Sequence, residues 1–246
     1  MEKITVAELA KTLDHAVLRP DATTYDVRAG CSLVLEAGVA SLCVRSADVI
    51  LASTLLKGSE ISVTSVVGFP HGTSSVAAKE AEIRRAILDG AKEVDVVMNY
   101  SRLLSEDLDY LSMEVRALVA RTRNYGVLIK VIFENAYLDT AAKRAACRIC
   151  VAEQVDFVKT STGFGPSGAK AEDLQLMHTL CAPHVRVKAS GGIRTLDAAL
   201  AAIALGASRI GTSATREILR EAADREALGT LTLMSPEQAI EGKYLA

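Results

Sequence analysis

Residues 156–163 read Asp-Phe-Val-Lys-Thr-Ser-Thr-Gly, and residues 186–193 read Arg-Val-Lys-Ala-Ser-Gly-Gly-Ile. Each stretch resembles a short buried strand that ends in glycine, and each carries one lysine, Lys159 or Lys188, directly after a valine. A buried ammonium without a partner is costly, and a lowered pKa is the usual relief. A single lysine of this kind favours a surface-reaching side chain or a structural ion pair. Two of them, each near a glycine-rich turn, predict amine nucleophiles for carbonyl chemistry.

Strand-like segments of the same kind recur along the whole chain. The eight candidates are residues 11–17, 40–45, 61–69, 93–98, 127–134, 156–160, 186–189 and 209–211. Helical patterns lie between them, among them residues 77–88, 108–125, 195–205 and 215–227. This alternation predicts a single TIM (β/α)8 barrel with a short N-terminal helix, and an open doubly wound sheet is the alternative. We expect residues 1–246 to form one domain with a flexible tail from about residue 235.

The composition argues against several classes of function. The chain has 246 residues, half of them hydrophobic, and a net charge of −2. That charge and the absence of tryptophan give no reason to expect nucleic-acid binding. The N-terminus lacks an apolar signal region, and no apolar run approaches the roughly 18 residues of a membrane span. We therefore expect a cytoplasmic protein that binds neither nucleic acid nor membranes.

Five cysteines are present, and two of them have the spacing of a redox or metal motif. Cys147 and Cys150 form this pair within a helix-like stretch, residues 140–154. A metal site needs more ligands than one such pair supplies. Buried, reduced helix cysteines are the preferred interpretation.

Polar side chains in the candidate strands predict where the site lies. In a barrel of this kind, active sites form where strands end and loops begin. Asp14, Cys43, Asp95, Lys159 and Lys188 fall in five different candidate strands. They would converge on one mouth if they face inward. Asp95 stands among valines, so we expect an ion pair with a barrel lysine, which is compatible with catalysis.

Glycine-rich loops after the last three strands predict a phosphate site. Residues 162–168 (Thr-Gly-Phe-Gly-Pro-Ser-Gly) follow one strand, Gly191 and Gly192 follow the next, and residues 211–214 (Gly-Thr-Ser-Ala) open a helix. Glycine lets backbone N–H groups approach an anion, and a helix N-terminus adds a favourable dipole. Loops after the last strands hold phosphate in many barrels.

The motifs together resemble those of the deoxyribose-phosphate aldolases, which are class I aldolases. They occur in the family's order between about residues 11 and 215, and the two lysine motifs are the most specific. The matching segments are Leu13-Asp14-His15, residues 18–23, Cys43-Val44, residues 67–72, residues 93–97, residues 158–164, residues 188–195 and Gly211-Thr212-Ser213.

The resemblance implies a role for each matched residue. Lys159 would form the Schiff base, Lys188 would perturb it and assist proton transfer, and Asp95 would relay protons. Cys43 would lie near the substrate hydroxyls, and Asp14 would join the surrounding network. The implied phosphate loops contain Thr162, Gly163, Gly191, Gly192, Arg194, Gly211, Thr212 and Ser213.

The same resemblance implies a reaction. It is reversible cleavage of 2-deoxy-D-ribose 5-phosphate to D-glyceraldehyde 3-phosphate and acetaldehyde. No metal or organic cofactor is expected, the partner is a small sugar phosphate, and the assembly is a homodimer or a higher homo-oligomer. Asn135 and Asn99 depart from the common pattern, and Asn135 is expected at the mouth. These departures leave open a different phosphorylated aldehyde acceptor.

Two other function classes remain open from the residues. One is a metal-dependent sugar-phosphate isomerase on the same barrel, with Asp14, His15 and His71 as ligands. The other is a non-catalytic barrel that senses a sugar phosphate. Retention of both lysines with Asp95 argues against the sensor.

Overall fold

A computed structural model describes residues 2–245 and shows a closed barrel of eight parallel strands in sequential order. Each strand is hydrogen-bonded to the next, and the first pairs with the last. The predicted TIM barrel is therefore confirmed, and the open doubly wound sheet is wrong. No helix within residues 2–245 is long and apolar enough to cross a membrane.

The strands lie within or close to the predicted segments. They are β1 (Leu13–Val17), β2 (Ser41–Val44), β3 (Ser62–Val67), β4 (Glu93–Val97), β5 (Leu128–Ile132), β6 (Phe157–Lys159), β7 (Arg186–Ser190) and β8 (Ala207–Thr212).

Helices cover the outside of the barrel. They are α1 (Val6–Ala10), α2 (Thr24–Ala37), α3 (Val49–Leu55), α4 (Val76–Leu88), α5 (Tyr100–Leu104), α6 (Leu108–Arg123), α7 (Thr140–Ala152), α8 (Ala171–Cys181), α9 (Leu196–Ala204), α10 (Thr215–Ala227) and α11 (Pro236–Glu241). Thr195 caps α9 through a hydrogen bond from the amide of Ala198, as its position before the helix predicts.

The C-terminal segment contains structure where the sequence predicted a loose tail. Ser235 caps α11 with a capping box that includes Gln238, and Ala239 is buried. Half of the last dozen residues, 236–241, therefore belong to a capped helix packed beside α9. The flexibility of this segment stays a prediction.

Alternation along the strands separates an apolar outer core from a polar interior. In β4, for example, Val94 and Val96 belong to the apolar cluster beneath the helices, whereas Glu93 and Asp95 point the other way. The strand register then brings polar residues level with each other. Lys159 pairs with Lys188 across β6 and β7, and Asp95 pairs with Lys130 across β4 and β5.

Candidate active site

A cavity of about 360 Å³ opens at the carboxyl ends of β6, β7, β8 and β1. It is lined by every residue predicted to react with or bind the substrate except Asp95, which is completely buried. The predicted residues that line the cavity are Asp14, Cys43, Lys159, Thr162, Gly163, Lys188, Gly191, Gly192, Arg194, Gly211, Thr212 and Ser213.

The two lysines meet at one carboxylate oxygen. The Nζ atoms of Lys159 and Lys188 each lie 2.7 Å from Oδ2 of Asp95. Lys188 also lies 2.6 Å from Oδ2 of Asp14. All four side chains are almost completely buried. The predicted ion pair of Asp95 with a barrel lysine is therefore present, and both lysines take part in it.

The electrostatics differ between the two lysines. Burial lowers the pKa of Lys159, the carboxylate of Asp95 opposes that effect, and the charge of Lys188 adds to the lowering. Burial alone would also lower the pKa of Lys188, but Asp14 and Asp95 outweigh it and raise that pKa. Lys159 is therefore the lysine that loses its proton first, and a neutral amine is the reactive form.

The two carboxylates are held ionised. Burial alone would raise the pKa of Asp95, but Lys130, Lys159 and Lys188 hold it well below its usual range. Burial alone would also raise the pKa of Asp14, but the neighbouring cations, Lys188 above all, lower it. The ionised Asp95 therefore accepts hydrogen bonds from both lysines at once.

Cys43 lies beside this cluster as a neutral thiol. Its sulfur is 4.0 Å from Oδ2 of Asp95. Burial and the neighbouring Asp95 charge raise the pKa of Cys43 to about 11. The side chain therefore offers a weak hydrogen-bond donor on the cavity wall rather than a thiolate nucleophile.

A deeper layer of charges was missed by the sequence interpretation. Lys130 is fully buried, donates to Oδ1 of Asp95 at 2.9 Å and contacts Glu93. Arg209 contacts both Glu93, at 3.0 Å, and Asp14. Lys130 carries the same signal as the predicted lysines, because it stands between Ile129 and Val131 in an apolar strand.

The glycine loops have the backbone geometry that an anion site needs. Gly163, Gly191 and Gly192 have φ angles of 87°, 84° and 79°, which favour glycine. Gly191 also packs on the backbone of Gly168. A Cβ added to Gly168 would lie 2.1 Å from the Gly191 carbonyl oxygen. The chain therefore needs glycine at these positions to form this wall of the cavity.

The loop after β8 leads directly into a helix with no side-chain cap. Helix α10 begins at Thr215, and its N-cap residue, Ala214, supplies no side-chain hydrogen bond. Thr212 instead accepts from the Ala214 amide at 2.9 Å and donates to the Ile193 carbonyl at 2.7 Å, which ties the β7 and β8 loops together. The exposed Ser213 and Arg194 add polar groups beside these amides.

Glu134 supports the loop after β6 and was also missed. It is 2% exposed and adopts a left-handed φ of 56°. Its carboxylate accepts from the amide and the hydroxyl of Thr162. Burial raises the pKa of Glu134 despite these bonds. The buried contact holds Thr162 and the adjoining Gly163 at the cavity.

Three other residues lie away from the cavity, among them the two asparagines that depart from the family pattern. Asn135 donates to the sulfur of Met177 at 3.4 Å, so its expected place at the mouth is wrong. Asn99 caps α5. Tyr244 lines a separate surface groove beside α9.

The three ligands of the alternative metal site do not converge. Asp14 points into the barrel, whereas the next residue, His15, contacts the Thr215 hydroxyl at 2.9 Å on the opposite face. His71 is exposed on the loop after β3. Within residues 2–245, no cluster of three or more His, Cys, Asp or Glu side chains could hold a metal ion.

The cysteine pair lies in the outer core. Cys147 and Cys150 are completely buried on α7, and Cys181 of α8 is buried with them. A hydrogen bond with Cys181, together with burial, raises the pKa of Cys147. These contacts agree with the predicted role as buried helix cysteines.

Known proteins resemble this chain over most of its length. A model of the DeoC/LacD family aldolases matches residues 9–221. The deoxyribose-phosphate aldolase of Thermoanaerobacter sp. (strain X514) is 42% identical over 214 residues, covering 87% of this chain and 96% of that protein. That of Rhodopirellula baltica is 42% identical, covering 90% and 91%. The tetrameric deoxyribose phosphate aldolase of Aeropyrum pernix superposes with a TM-score of 0.83 at 30% identity, covering 88% of this chain and 92% of that one.

Proposed function

This chain belongs to the DeoC/LacD family of aldolases, and from that premise we propose that it cleaves 2-deoxy-D-ribose 5-phosphate reversibly to D-glyceraldehyde 3-phosphate and acetaldehyde. The reaction would pass through a Schiff base on Lys159. One observation carries the proposal: Lys159 and Lys188 share a single oxygen of Asp95 directly below a cavity walled by glycine loops.

The first half of the proposed reaction forms and uses an imine. Neutral Nζ of Lys159 adds to the aldehyde carbon of the open-chain sugar, and uptake of one proton with loss of water leaves a protonated imine. A base takes the proton of the hydroxyl on the third carbon. The electrons of the bond between the second and third carbons then flow into the imine, which gives an enamine and releases D-glyceraldehyde 3-phosphate.

The second half regenerates the amine. The enamine is protonated at its second carbon, and water hydrolyses the resulting imine to acetaldehyde and free Lys159. Asp95 touches both lysines, so we assign it and Lys188 to the proton transfers, through water. Because the protonated imine accepts the electrons, the proposed chemistry needs no metal or organic cofactor.

The position of the phosphate follows from the cavity walls. Lys159 enters from β6, whereas the ends of β7 and β8 carry Gly191, Gly192, Gly211, Ser213 and the amides at the start of α10. We assign the phosphate to that side, with Arg194 as an exposed cation nearby. This arrangement would leave the aldehyde end of the sugar at Lys159.

Reductive trapping tests the imine. Acetaldehyde with borohydride should inactivate the protein and leave a two-carbon adduct on Lys159, because this amine lines the cavity and burial lowers its pKa. Peptide mass mapping identifies the site. The matched control is the exposed Lys92, which should show no preferential labelling. An adduct on Lys188 alone, or no adduct at all, contradicts the assignment.

Replacing Gly192 by aspartate tests the phosphate. An added Cβ would meet no atom within 4 Å, so the carboxylate has room to stand against the anion. We expect the KM for deoxyribose 5-phosphate to rise by about tenfold or more, with a smaller change for unphosphorylated deoxyribose.

Gly192→Asn is the matched control, because asparagine has the same shape without the charge and tolerates the left-handed backbone equally well. Its effect on KM should be much smaller. Equal losses for both sugars in a folded Gly192→Asp protein would reject the phosphate assignment.

Assays of the wild-type protein in the synthetic direction, with acetaldehyde and other phosphorylated aldehydes, would reveal a different acceptor.

We further propose that the protein works in the cytoplasm as a homodimer or a higher homo-oligomer. The relative from Aeropyrum pernix, which shares the fold, is tetrameric. Light scattering of the purified protein should give a mass that is a multiple of 26.1 kDa. A monomer at assay concentration would contradict this proposal.

A further inference from the structure

Five buried side chains and the partly buried Arg209 form a closed circuit of alternating charge inside the barrel. Carboxylates and cations follow one another, and every neighbouring pair is an ion pair. We call this set the charge ring, and its members in order are Asp95, Lys130, Glu93, Arg209, Asp14 and Lys188.

The lower half of the charge ring lies away from the substrate cavity. Lys130, Glu93 and Arg209 do not line the cavity, whereas Asp14 and Lys188 do. Glu93 and Arg209 make direct contact through Nη2, at 3.0 Å. Burial alone would lower the pKa of Arg209, but Asp14 and Glu93 raise it, so the guanidinium stays charged. These three residues therefore reach the chemistry only through other ring members.

Lys159 lies outside the charge ring, and its Nζ forms an ion pair with one ring member, Asp95. Three carboxylates and three cations give the ring a net charge of zero. The other titratable groups near Lys159 are Cys43, a neutral thiol, and Glu134, whose pKa burial raises. A proton on Lys159 would therefore be a surplus positive charge in a buried site, because the ring's carboxylates are already balanced by its own cations and the Glu134 carboxylate is hydrogen-bonded to Thr162.

We propose that Glu93 and Arg209 are positioning residues that close the charge ring, and that the ring's zero net charge keeps Lys159 a free amine. The inference rests on the proposed function, because it concerns the nucleophile of that reaction. Removing Arg209 would leave the ring negative and favour a protonated Lys159. Removing the Glu93 charge would leave it positive and disfavour that proton further.

The test uses three variants of the full-length protein: Arg209→Gln, Glu93→Gln and the double variant. The measurement is the pH midpoint for reductive methylation of Lys159 by formaldehyde and cyanoborohydride, followed by peptide mass spectrometry. We expect the midpoint to rise by about one pH unit in Arg209→Gln and to fall by about one in Glu93→Gln. The double variant restores zero net charge, so its midpoint should return close to the wild-type value.

A purely structural role gives a different result. Both single variants would then lose stability and activity without opposite midpoint shifts, and the double variant would lose at least as much as either one. Arg209→Lys keeps the charge and should keep the midpoint. If either single variant does not fold, the double variant decides, because the proposal requires it to fold with a wild-type midpoint. A misfolded or shifted double variant overturns the inference.

Methylation also separates this inference from the proposed function, since it needs only a neutral amine. Wild-type protein that shows no acetaldehyde adduct on Lys159 contradicts the Schiff-base aldolase. Midpoints that stay fixed across the variants contradict the charge ring, whatever the acetaldehyde result.

Discussion

Replacing Lys159 by leucine should lower turnover of deoxyribose 5-phosphate by at least about a thousandfold. The loss follows because the imine formed by this amine accepts the electrons of the breaking carbon–carbon bond. Leucine cannot form that imine. Leucine fills a similar volume in a site that is 3% exposed, so the barrel should stay folded. Steady-state kinetics coupled to glyceraldehyde 3-phosphate detection provides the measurement.

Lys159→Arg is the informative control for that substitution. It keeps a cation beside Asp95, but arginine stays protonated and forms no imine under these conditions. If Lys159→Arg retains substantial activity, the lysine acts as a charge rather than as a nucleophile.

Exhaustive chelation of the wild-type protein should leave its activity unchanged, because the imine accepts the electrons. Loss of activity followed by recovery with zinc or manganese would favour metal chemistry.

Replacing Lys188 by leucine should have the second largest effect, a fall in turnover of roughly a hundredfold or more. Two causes act together. The variant loses a group that touches Asp95 at 2.7 Å, and Lys159 loses the positive neighbour that helps to lower its pKa. The pKa of Lys159 should therefore rise, so the pH profile should shift towards alkaline pH. Below that pKa, each unit of rise lowers the fraction of free amine about tenfold.

Lys188→Arg separates the two causes. It keeps a positive charge between Asp14 and Asp95, so the pH profile should stay close to that of the wild type even if turnover falls. The coupling is rejected if Lys188→Leu retains full activity over the whole pH range.

Much of this site could be predicted because its signals are local. A lysine inside an apolar strand is unusual wherever it occurs, and the glycine turns after Lys159 and Lys188 follow within a few residues. Lys130 has the same strand environment but is followed by Val131, Ile132 and Phe133 rather than glycine. Without a glycine turn after it, the sequence gives no sign that Lys130 reaches the substrate site.

The lower half of the charge ring could not be found in this way. Glu93 is the first residue of β4, and Arg209 lies near the start of β8. Charged residues are common at the starts of strands and are usually solvated. Their burial depends on contacts between residues far apart in sequence. Arg209 and Asp14, for example, are 195 positions apart and meet only because β8 pairs with β1. Such pairs are set by the curvature and closure of the sheet, which no local pattern encodes.

The helices also divide into those that a local sequence pattern predicts and those that depend on packing. Helices α4, α6 and α10 have clear amphipathic spacing and were placed within about two residues of their observed bounds. Helix α2 was not predicted, although Thr23 and Asp26 form a capping box at its start. That signal was available, but residues 24–26 (Thr-Tyr-Asp) are poor helix formers, and the packing of Val27, Cys31 and Val34 stabilises the helix.

The charge ring also has a consequence for how the chain folds. Its members come from β1, β4, β5, β7 and β8, and Arg209 must cross the seam between the first and last strands to reach Asp14. A partly assembled sheet that lacks β8 would bury Asp14 and Glu93 without their guanidinium partner, which is unfavourable. Open intermediates are therefore penalised until the two ends of the chain meet. The same six side chains therefore affect both the chemistry inside the barrel and the cooperativity of its closure.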